Sequence, residues 1–590
     1  MGKSVSEVEI SPRVSRRPAK CTVISSVIAA LILLLSAFCW FGFSPLFTAM
    51  VAMKLSFSED NLGVPSQATF LWSKPPMNNT FNFYIYNVTN PTHVTYYGEK
   101  PRVIEVGPFA IRESERKKEY SFSDDGDSIW YKNYKQFVYD AERSCEDCTY
   151  EAPIYIPNLP AIGAMMDLGD PKYNVSRAAK WIISVGLIAL GEYPFKYVRF
   201  GDLVFDGYDD PLLTLGHSPI LKYLSNTYNN GSSVMPFPIP PLKKMGFFVG
   251  YNNSNDEDYV INSGKADINN IASIKKWAGM ASLPETWWST PQARAINGSD
   301  SGSFNKPNLK KSDRLYMFQS YMCRSFYMDF HEESTVHGIP GYNYEIPTEV
   351  YDTTRQENIG FRYENREKVN YFPEWPECPP KTNTTNCDLV DINCGLSENL
   401  CHECCDRSHF NGTYLLPPGF FPMACFPGKN QDAPFGMIFS APHYLFSPES
   451  TVDSVYGLNP SHDPHVPLSY THEPQSGMVT EVKFRLQINV PIRQWSDIVQ
   501  SGQMPNKFIP VLWADSHAYL TQPAYDMIYN FFVTIPTAVY ITKFISLFVG
   551  ILLVLLIVAV RIRIRQLEQR KIREQNALLK EETRRGVQVV

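Results

Sequence analysis

Two long stretches of the chain carry no charge, and they lie near its two ends. Cys21–Phe43 is the first and Phe544–Val560 the second. At about 1.5 Å per residue the first covers roughly 34 Å, enough for the ~30 Å hydrocarbon core of a bilayer. The second extends upstream through Ala538–Thr542 if Lys543 snorkels toward the headgroups. Arg13, Arg16, Arg17 and Lys20 precede the first span, and Arg561, Arg563 and Arg565 follow the second. That bias places both tails on the cytoplasmic side. The expected organisation is a multi-pass protein: tail 1–20, span 21–43, body 44–537, span 538–560, tail 561–590. A cleaved signal peptide is the competing account of the first span. Against it stand the length of the run and the lack of a small-x-small site after Cys39-Trp40-Phe41-Gly42-Phe43.

Inside the body the periodicity changes. Val482, Phe484, Leu486, Ile488 and Val490 alternate with Lys483, Arg485, Gln487 and Asn489, which predicts a half-buried antiparallel strand. Phe81–Asn87, Arg102–Ile111 and Tyr134–Tyr139 read as further strands. Ser176–Leu190 reads as a helix, with cap-type residues before it and Gly191 and Pro194 after. Its segment Trp181–Leu190 is almost wholly apolar and far too short to span a bilayer. It is either a buried core helix or an exposed contact surface built on Trp181, Ile182, Val185, Leu187 and Ile188. The acceptor sequon at Asn174 favours exposure, because a glycan must face solvent.

Cysteines and sequons bear on the compartment. Of twelve cysteines, Cys21 and Cys39 belong to the first span, and Cys145, Cys148, Cys323 and Cys425 are spread through the body. The other six, Cys378, Cys387, Cys394, Cys401, Cys404 and Cys405, crowd together and read as disulfides in an oxidising compartment. Cys401-His402-Glu403-Cys404 has metal-like spacing, but an oxidising lumen disfavours free thiolates. Sequons occur at Asn78, Asn87, Asn174, Asn230, Asn252, Asn297, Asn383 and Asn411, all in the body. Both signals place that body outside the cytosol.

Composition narrows the function. The net charge is −6 with no basic cluster in the body, so nothing points to nucleic acid. Aromatics at 14%, with frequent Pro and Gly, predict many strands around a large core. Gly216-His217-Ser218-Pro219-Ile220 begins like a nucleophile elbow but ends in Ile. His462, His465 and His472 either titrate in an acidic lumen or, as is commoner, are solvated loop residues. No catalytic residue, metal or cofactor is expected. In the second tail Glu574, Leu578 and Leu579 fit an acidic-dileucine sorting signal, although a charged helix also accounts for them. Cys21 is a candidate for palmitoylation.

Seven motifs in order resemble the class B scavenger receptors, a family that includes a fatty-acid translocase, a high-density-lipoprotein receptor and a lysosomal integral membrane protein. They are Gly98–Phe109, Gly207-Tyr208-Asp209-Asp210-Pro211, Tyr251–Lys276 with Trp277-Ala278-Gly279, Cys323-Arg324-Ser325-Phe326, Gly338-Ile339, Ala441-Pro442-His443-Tyr444 and Leu486-Gln487-Ile488-Asn489. The resemblance implies an α+β membrane protein. Two terminal transmembrane helices would flank one ectodomain with an antiparallel β-barrel-like core, an apical helical bundle and an internal hydrophobic tunnel. It implies a bridge between Cys323 and Cys425, and it places Ser176–Leu190 in the apical bundle. It implies as partners lipids (sterol, fatty acid, phospholipid) or lipoprotein particles, with a luminal lysosomal protein as an alternative and homo-oligomers left open. The lysosomal or late endosomal membrane is expected, with the plasma membrane as alternative. The tunnel-lining residues and the pairing of the six-cysteine cluster are not readable.

Overall fold

Alternating side chains dominate the body, and a computed structural model shows what they build. It describes residues 17–219, 237, 239–240, 242–299, 304–353, 355–363, 369–373, 375 and 416–586. The strands are β1 (Met77–Val88), β2 (Val103–Phe122), β3 (Ser128–Tyr139), β4 (Pro153–Pro157), β5 (Phe195–Arg199), β6 (Ser254–Asn262), β7 (Ile274–Trp277), β8 (Leu315–Gln319), β9 (Arg324–Val336), β10 (Ile339–Glu345), β11 (Phe420–Pro422), β12 (Ile438–Ser440), β13 (Leu468–His472), β14 (Val479–Ile492) and β15 (Lys507–Leu520). Thirteen of them form one antiparallel sheet in the order β7-β6-β3-β2-β1-β15-β14-β13-β10-β9-β8, with β12 joined to β14 and β11 to β12. β9 and β10 turn on His337-Gly338, with φ of 48° and 79°, the pair of positive angles that a two-residue hairpin requires.

The two ends of this sheet meet at one residue. Ser299 bridges Ser273, beside β7, and also Met317 in β8. Ile274 donates its N–H to Gly298 O at 2.8 Å, and Phe318 donates to Ser299 O at 3.0 Å. Gly298 has φ +84°, and a Cβ there would stand 1.9 Å from Tyr316 O. Only glycine fits the seam. The result is a nearly closed, barrel-like sheet whose edge strands are stitched rather than left open.

β14 runs as predicted, but it is not half-buried. Arg485, Gln487 and Asn489 are buried as well, because they face other protein and not solvent, and of the alternating polar residues only Lys483 stays partly exposed. Arg485 pairs with Asp515 at 2.9 Å and donates to the carbonyls of Asp463 and Val466. Gln487 Oε1 accepts from Tyr86 OH and His443 N–H, its Nε2 donates to Asn489 Oδ1, and Asn489 Nδ2 donates to Ile438 O and Ser440 Oγ. His443 Nε2 donates to Glu105 Oε2 at 2.7 Å, and Trp513 Nε1 donates to the same oxygen. Three of the sequence motifs, those holding Glu105, His443 and Gln487, thus converge on one buried network. His465 stacks on His443 at 4.2 Å. It is 8% exposed, and His472 is fully buried, so neither is a solvated loop residue, although His462 is.

The other strands extend beyond their predicted limits, most of all β2. Its second half, Arg112–Glu119, lies beyond the predicted end at Ile111 and is charged at every position but Ser114. The helix appears as Arg177–Ala189, with the Ser176 side chain accepting from Ala179 N–H. Trp181, Ile182 and Val185 are 59%, 63% and 41% exposed, so the core-helix reading fails on that face. Leu187 corrects the contact-surface reading in turn. It is 2% exposed, on the side of the helix where Ser184 meets Val499 and Gln500, and Ile188 is only partly exposed.

By its contacts the chain divides into Ala52–Tyr525 and a unit of Met1–Val51 with Asp526–Val590. The helical runs Cys21–Leu55 and Gln522–Glu581 are long and apolar enough to cross a membrane, and both run past the predicted spans. No proline follows Pro536 before Gly586, so nothing stops the second helix at the membrane edge. Small residues meet where the helices cross. Ala29, Ser36 and Ser546 are buried, and a Cβ on Gly550 would stand 2.6 Å from Leu33. Lys543 is accommodated among aromatic rings, 4.4 Å from the Trp40 centroid and 4.2 Å from that of Tyr540.

Two predictions follow from this architecture. Gly298→Ala keeps the Asn297 sequon yet opens the seam. It should cost roughly 2–3 kcal/mol, seen as slower glycan maturation and a lower unfolding midpoint of the full-length protein. A midpoint equal to that of the unaltered protein would show that the seam is not a closure. The second concerns acid. Burial lowers His465 to about 4, helped by His443 and Arg485 and opposed by Glu105; burial also lowers His472 to about 4. Both are neutral when folded and take up protons when unfolded, so stability falls as pH drops from about 6.5 toward 4, by about 2 kcal/mol each at pH 5. Four carboxyls act the other way: burial raises Asp167 to about 6, burial with Asp210 raises Glu192 to about 7, and burial also raises Asp256 and Glu473. In the unaltered protein the histidines and the carboxyls therefore oppose one another between pH 7 and pH 5. His465→Asn should become more stable on acidification, relative to it, by about 2 kcal/mol. Parallel pH curves of the two proteins would refute the assignment.

Candidate functional site

Because every second side chain of a barrel strand points inward, the interior is written by alternate residues. They enclose a cavity of about 160 Å³ with two unlike walls. On β14 the inward positions are apolar: Val482, Phe484, Leu486 and Ile488, facing Met77 and Phe81 of β1, with Phe248 closing one side, while Asn79 of β1 turns to the other wall. A wall of this kind suits the apolar part of a ligand, as a wholly apolar cavity of ~150 Å³ suits benzene. Pockets for drug-sized ligands run to roughly 300–1,000 Å³, so the enclosed space holds one end of an amphiphile and not all of it.

The opposite wall is charged. On β2 the residues Glu113, Glu115 and Lys117 point inward, while Arg112, Ser114, Arg116 and Lys118 face solvent. On β3 Asn133 and Lys135 share the interior, and β6 adds Asp256. Register sets Glu115 opposite Lys135 and Lys117 opposite Asn133. Lys135 Nζ lies 2.7 Å from Glu113 Oε1, Lys117 pairs with Glu115, and Asn79 Nδ2 donates to Glu113 Oε2 at 2.8 Å. Burial alone would raise the Glu115 carboxyl, but the ammonium groups of Lys117 and Lys135 hold it at about 2. Burial would likewise lower Lys135, yet Glu113, Tyr321 and Glu115 keep it well above its ordinary value. Asp256 behaves differently. Burial pushes it up, and Lys135, Ser320 and Tyr259 offset only part of that rise. Its Oδ2 accepts from Tyr259 OH and Ser320 Oγ, each at 2.6 Å.

A second cavity, of about 850 Å³, lies beside the helices Leu159–Gly169 and Pro211–Gly216, with Asp167, Tyr173, Phe237 and Phe435 among its lining. His217 caps the second of these helices and its Nδ1 meets Leu213 O, so Gly216-His217-Ser218 ends a helix and is no strand-to-helix elbow. Among the described residues no cluster of His, Cys, Asp and Glu is arranged to hold a metal ion.

The sequence-predicted residues are scattered around this barrel. Cys323 and Cys425 are bonded, with Cα atoms 6.2 Å apart, and Cys145 is bonded to Cys148. Cys378, Cys387, Cys394, Cys401, Cys404 and Cys405 lie outside the described residues, as do Asn230, Asn383 and Asn411. Asn78, Asn174 and Asn297 are exposed. Asn87 is half-buried, with Oδ1 accepting from Tyr155 N–H. Asn252 is exposed, but both ends of its amide are engaged by the Phe137 backbone. Glu574, Leu578 and Leu579 are exposed on the helix Ile535–Gly586. Sequence reasoning missed the charged wall altogether. The only trace of it is that Glu113, Glu115 and Lys117 share one face of a strand.

Comparison with known proteins agrees with this architecture. The chain is 38% identical over 543 residues to Uncharacterized protein R07B1.3 of Caenorhabditis elegans, covering 92% of this chain and 97% of that one. It is 27% identical over 449 residues to human Lysosome membrane protein 2, covering 76% of each. It is 24% identical over 501 residues to mouse Scavenger receptor class B member 1, covering 85% of this chain and 82% of that one. A family profile described as the CD36 family matches residues 27–561, and with two terminal apolar helices around a barrel-like ectodomain the chain belongs to that family.

Proposed function

We propose that this chain is a non-enzymatic membrane receptor that binds lipid or lipoprotein ligands and passes lipid through the interior of its barrel. The observation that carries the reading is the inward face of β14, where Val482, Phe484, Leu486 and Ile488 form one apolar wall of the cavity. Each CH₂ of an acyl chain exposed to water costs about 0.8 kcal/mol, so a chain of about sixteen carbons faces on the order of 10 kcal/mol unshielded. An apolar interior removes most of that cost. The relatives named as a scavenger receptor and as a lysosome membrane protein support a receptor of the membrane. The second name, together with exposed Glu574, Leu578 and Leu579, supports the lysosomal or late endosomal membrane over the cell surface.

A second reading rests on the helix Arg177–Ala189. Its exposed Trp181, Ile182 and Val185, beside exposed Asn174, make an apolar face suited to a luminal protein partner.

The two readings separate in one experiment. Cells expressing the chain should take up a fluorescent sterol from vesicles faster than control cells. Val482→Trp, which fills the cavity, should reduce that uptake several-fold with glycan maturation unchanged. Uptake that survives Val482→Trp but is lost in a Trp181→Asp, Ile182→Asp variant would move the function to the exposed helix.

A further inference from the structure

The charged wall is almost fully paired: Glu113 Oε1 has the Lys135 ammonium alone, and two oxygens near one another have nothing. Asn133 Oδ1 and Asp256 Oδ1 are buried and have no hydrogen-bond partner, in residues 4% and 5% exposed that both line the cavity. Strand register explains their proximity. β3 and β6 pair Lys132 with Asp258 and Tyr134 with Asn255, so Asn133 stands opposite a bulge formed by Asp256 and Glu257. Glu257 has φ 74°, the kind of backbone kink that re-aims a neighbouring side chain. The Asn133 orientation is fixed by its other end, which hydrogen-bonds to the Glu115 carboxylate and must therefore be the NH₂. Its oxygen is left facing the cavity. Buried oxygens without partners are costly, and a pair of them at the polar end of an apolar cavity is a recognition feature.

We propose that Asn133 and Asp256 bind the hydroxyl group of an uncharged lipid, and that the same wall rejects the carboxylate of a fatty acid. This rests on the cavity reading above and narrows its ligand. A hydroxyl donates one hydrogen and accepts another. It donates to Asn133 Oδ1, which can only accept. It serves Asp256 in either protonation state, by donating to the ionised oxygen or accepting from the protonated one. A carboxylate has no hydrogen for Asn133. Nor does it find a free cation: of the two ammonium groups in the wall, Lys135 is closed onto Glu113 and Lys117 onto Glu115. Three carboxyls stand against those two ammoniums, so an added carboxylate meets repulsion. A site built around a hydroxyl discriminates strongly against an analogue that cannot make the bond.

The test uses full-length protein in nanodiscs at pH 7.4. A photoreactive diazirine analogue of dodecan-1-ol is crosslinked to the protein, and unlabelled dodecan-1-ol or dodecanoate competes. The alcohol should compete at least tenfold more effectively. Asn133→Leu should reduce the alcohol's competition about tenfold and leave that of dodecanoate unchanged. Asp256→Asn is the near-isosteric control. It removes a negative charge and turns an NH₂ toward the cavity, so it should improve competition by dodecanoate. Glycan maturation reports whether each variant folds. Equal competition by the two lipids in the unaltered protein, or an unchanged preference in Asp256→Asn, would overturn this assignment alone. The lack of any saturable crosslink would overturn the cavity reading with it.

Discussion

A sheet that closes on itself has an inside, and every second side chain of each strand must go there. In this chain the closure depends on Gly298 and Ser299, which join the two end strands. Once the sheet is closed, alternation no longer separates core from solvent. On β14 it separates a cavity wall from a buried hydrogen-bond network, and on β2 it separates buried charges from exposed ones. The cavity, its polar end and the network around His443 all follow from that closure.

The interior combines two environments that rarely adjoin. The apolar wall gains from burial in proportion to area, whereas the charged wall is tolerated only because its ammonium and carboxylate groups satisfy one another. Replacing one member would strand its partner in a low-dielectric interior, where an unpaired charge is far more costly than the pair is favourable. Such a wall is a poor way to gain stability and an effective way to orient a molecule with one polar end. That is the physical case for reading the barrel as a lipid site and not as a plain core.

Much of this was legible in the sequence. The terminal spans, the strand through Val482–Val490, the helix after Ser176 and the family motifs all carry strong local signals. The charged half of β2 was not legible, since Glu113, Glu115 and Lys117 look like surface residues until β3 and β6 are laid beside them. The polar face of β14 misled for the same reason: Arg485, Gln487 and Asn489 imply solvent, and only long-range pairing with Asp515, Tyr86 and Ser440 shows otherwise. Leu187 was assigned to a contact face because an apolar run does not reveal which side of a helix is covered. His465 and His472 were read as loop residues because burial is set by strands far away in sequence.

The most direct measurement of the central claim is the position of a lipid on the protein. Full-length protein is reconstituted with a diazirine-bearing lipid, irradiated and digested, and the modified residues are mapped by mass spectrometry. Adducts on the two terminal helices are expected whatever the ectodomain does. The account predicts additional adducts on Val482, Phe484, Leu486 or Ile488, and none on the alternating Arg485, Gln487 and Asn489. Ectodomain adducts confined to Trp181, Ile182 and Val185 would contradict it, because the barrel interior would then be a sealed core.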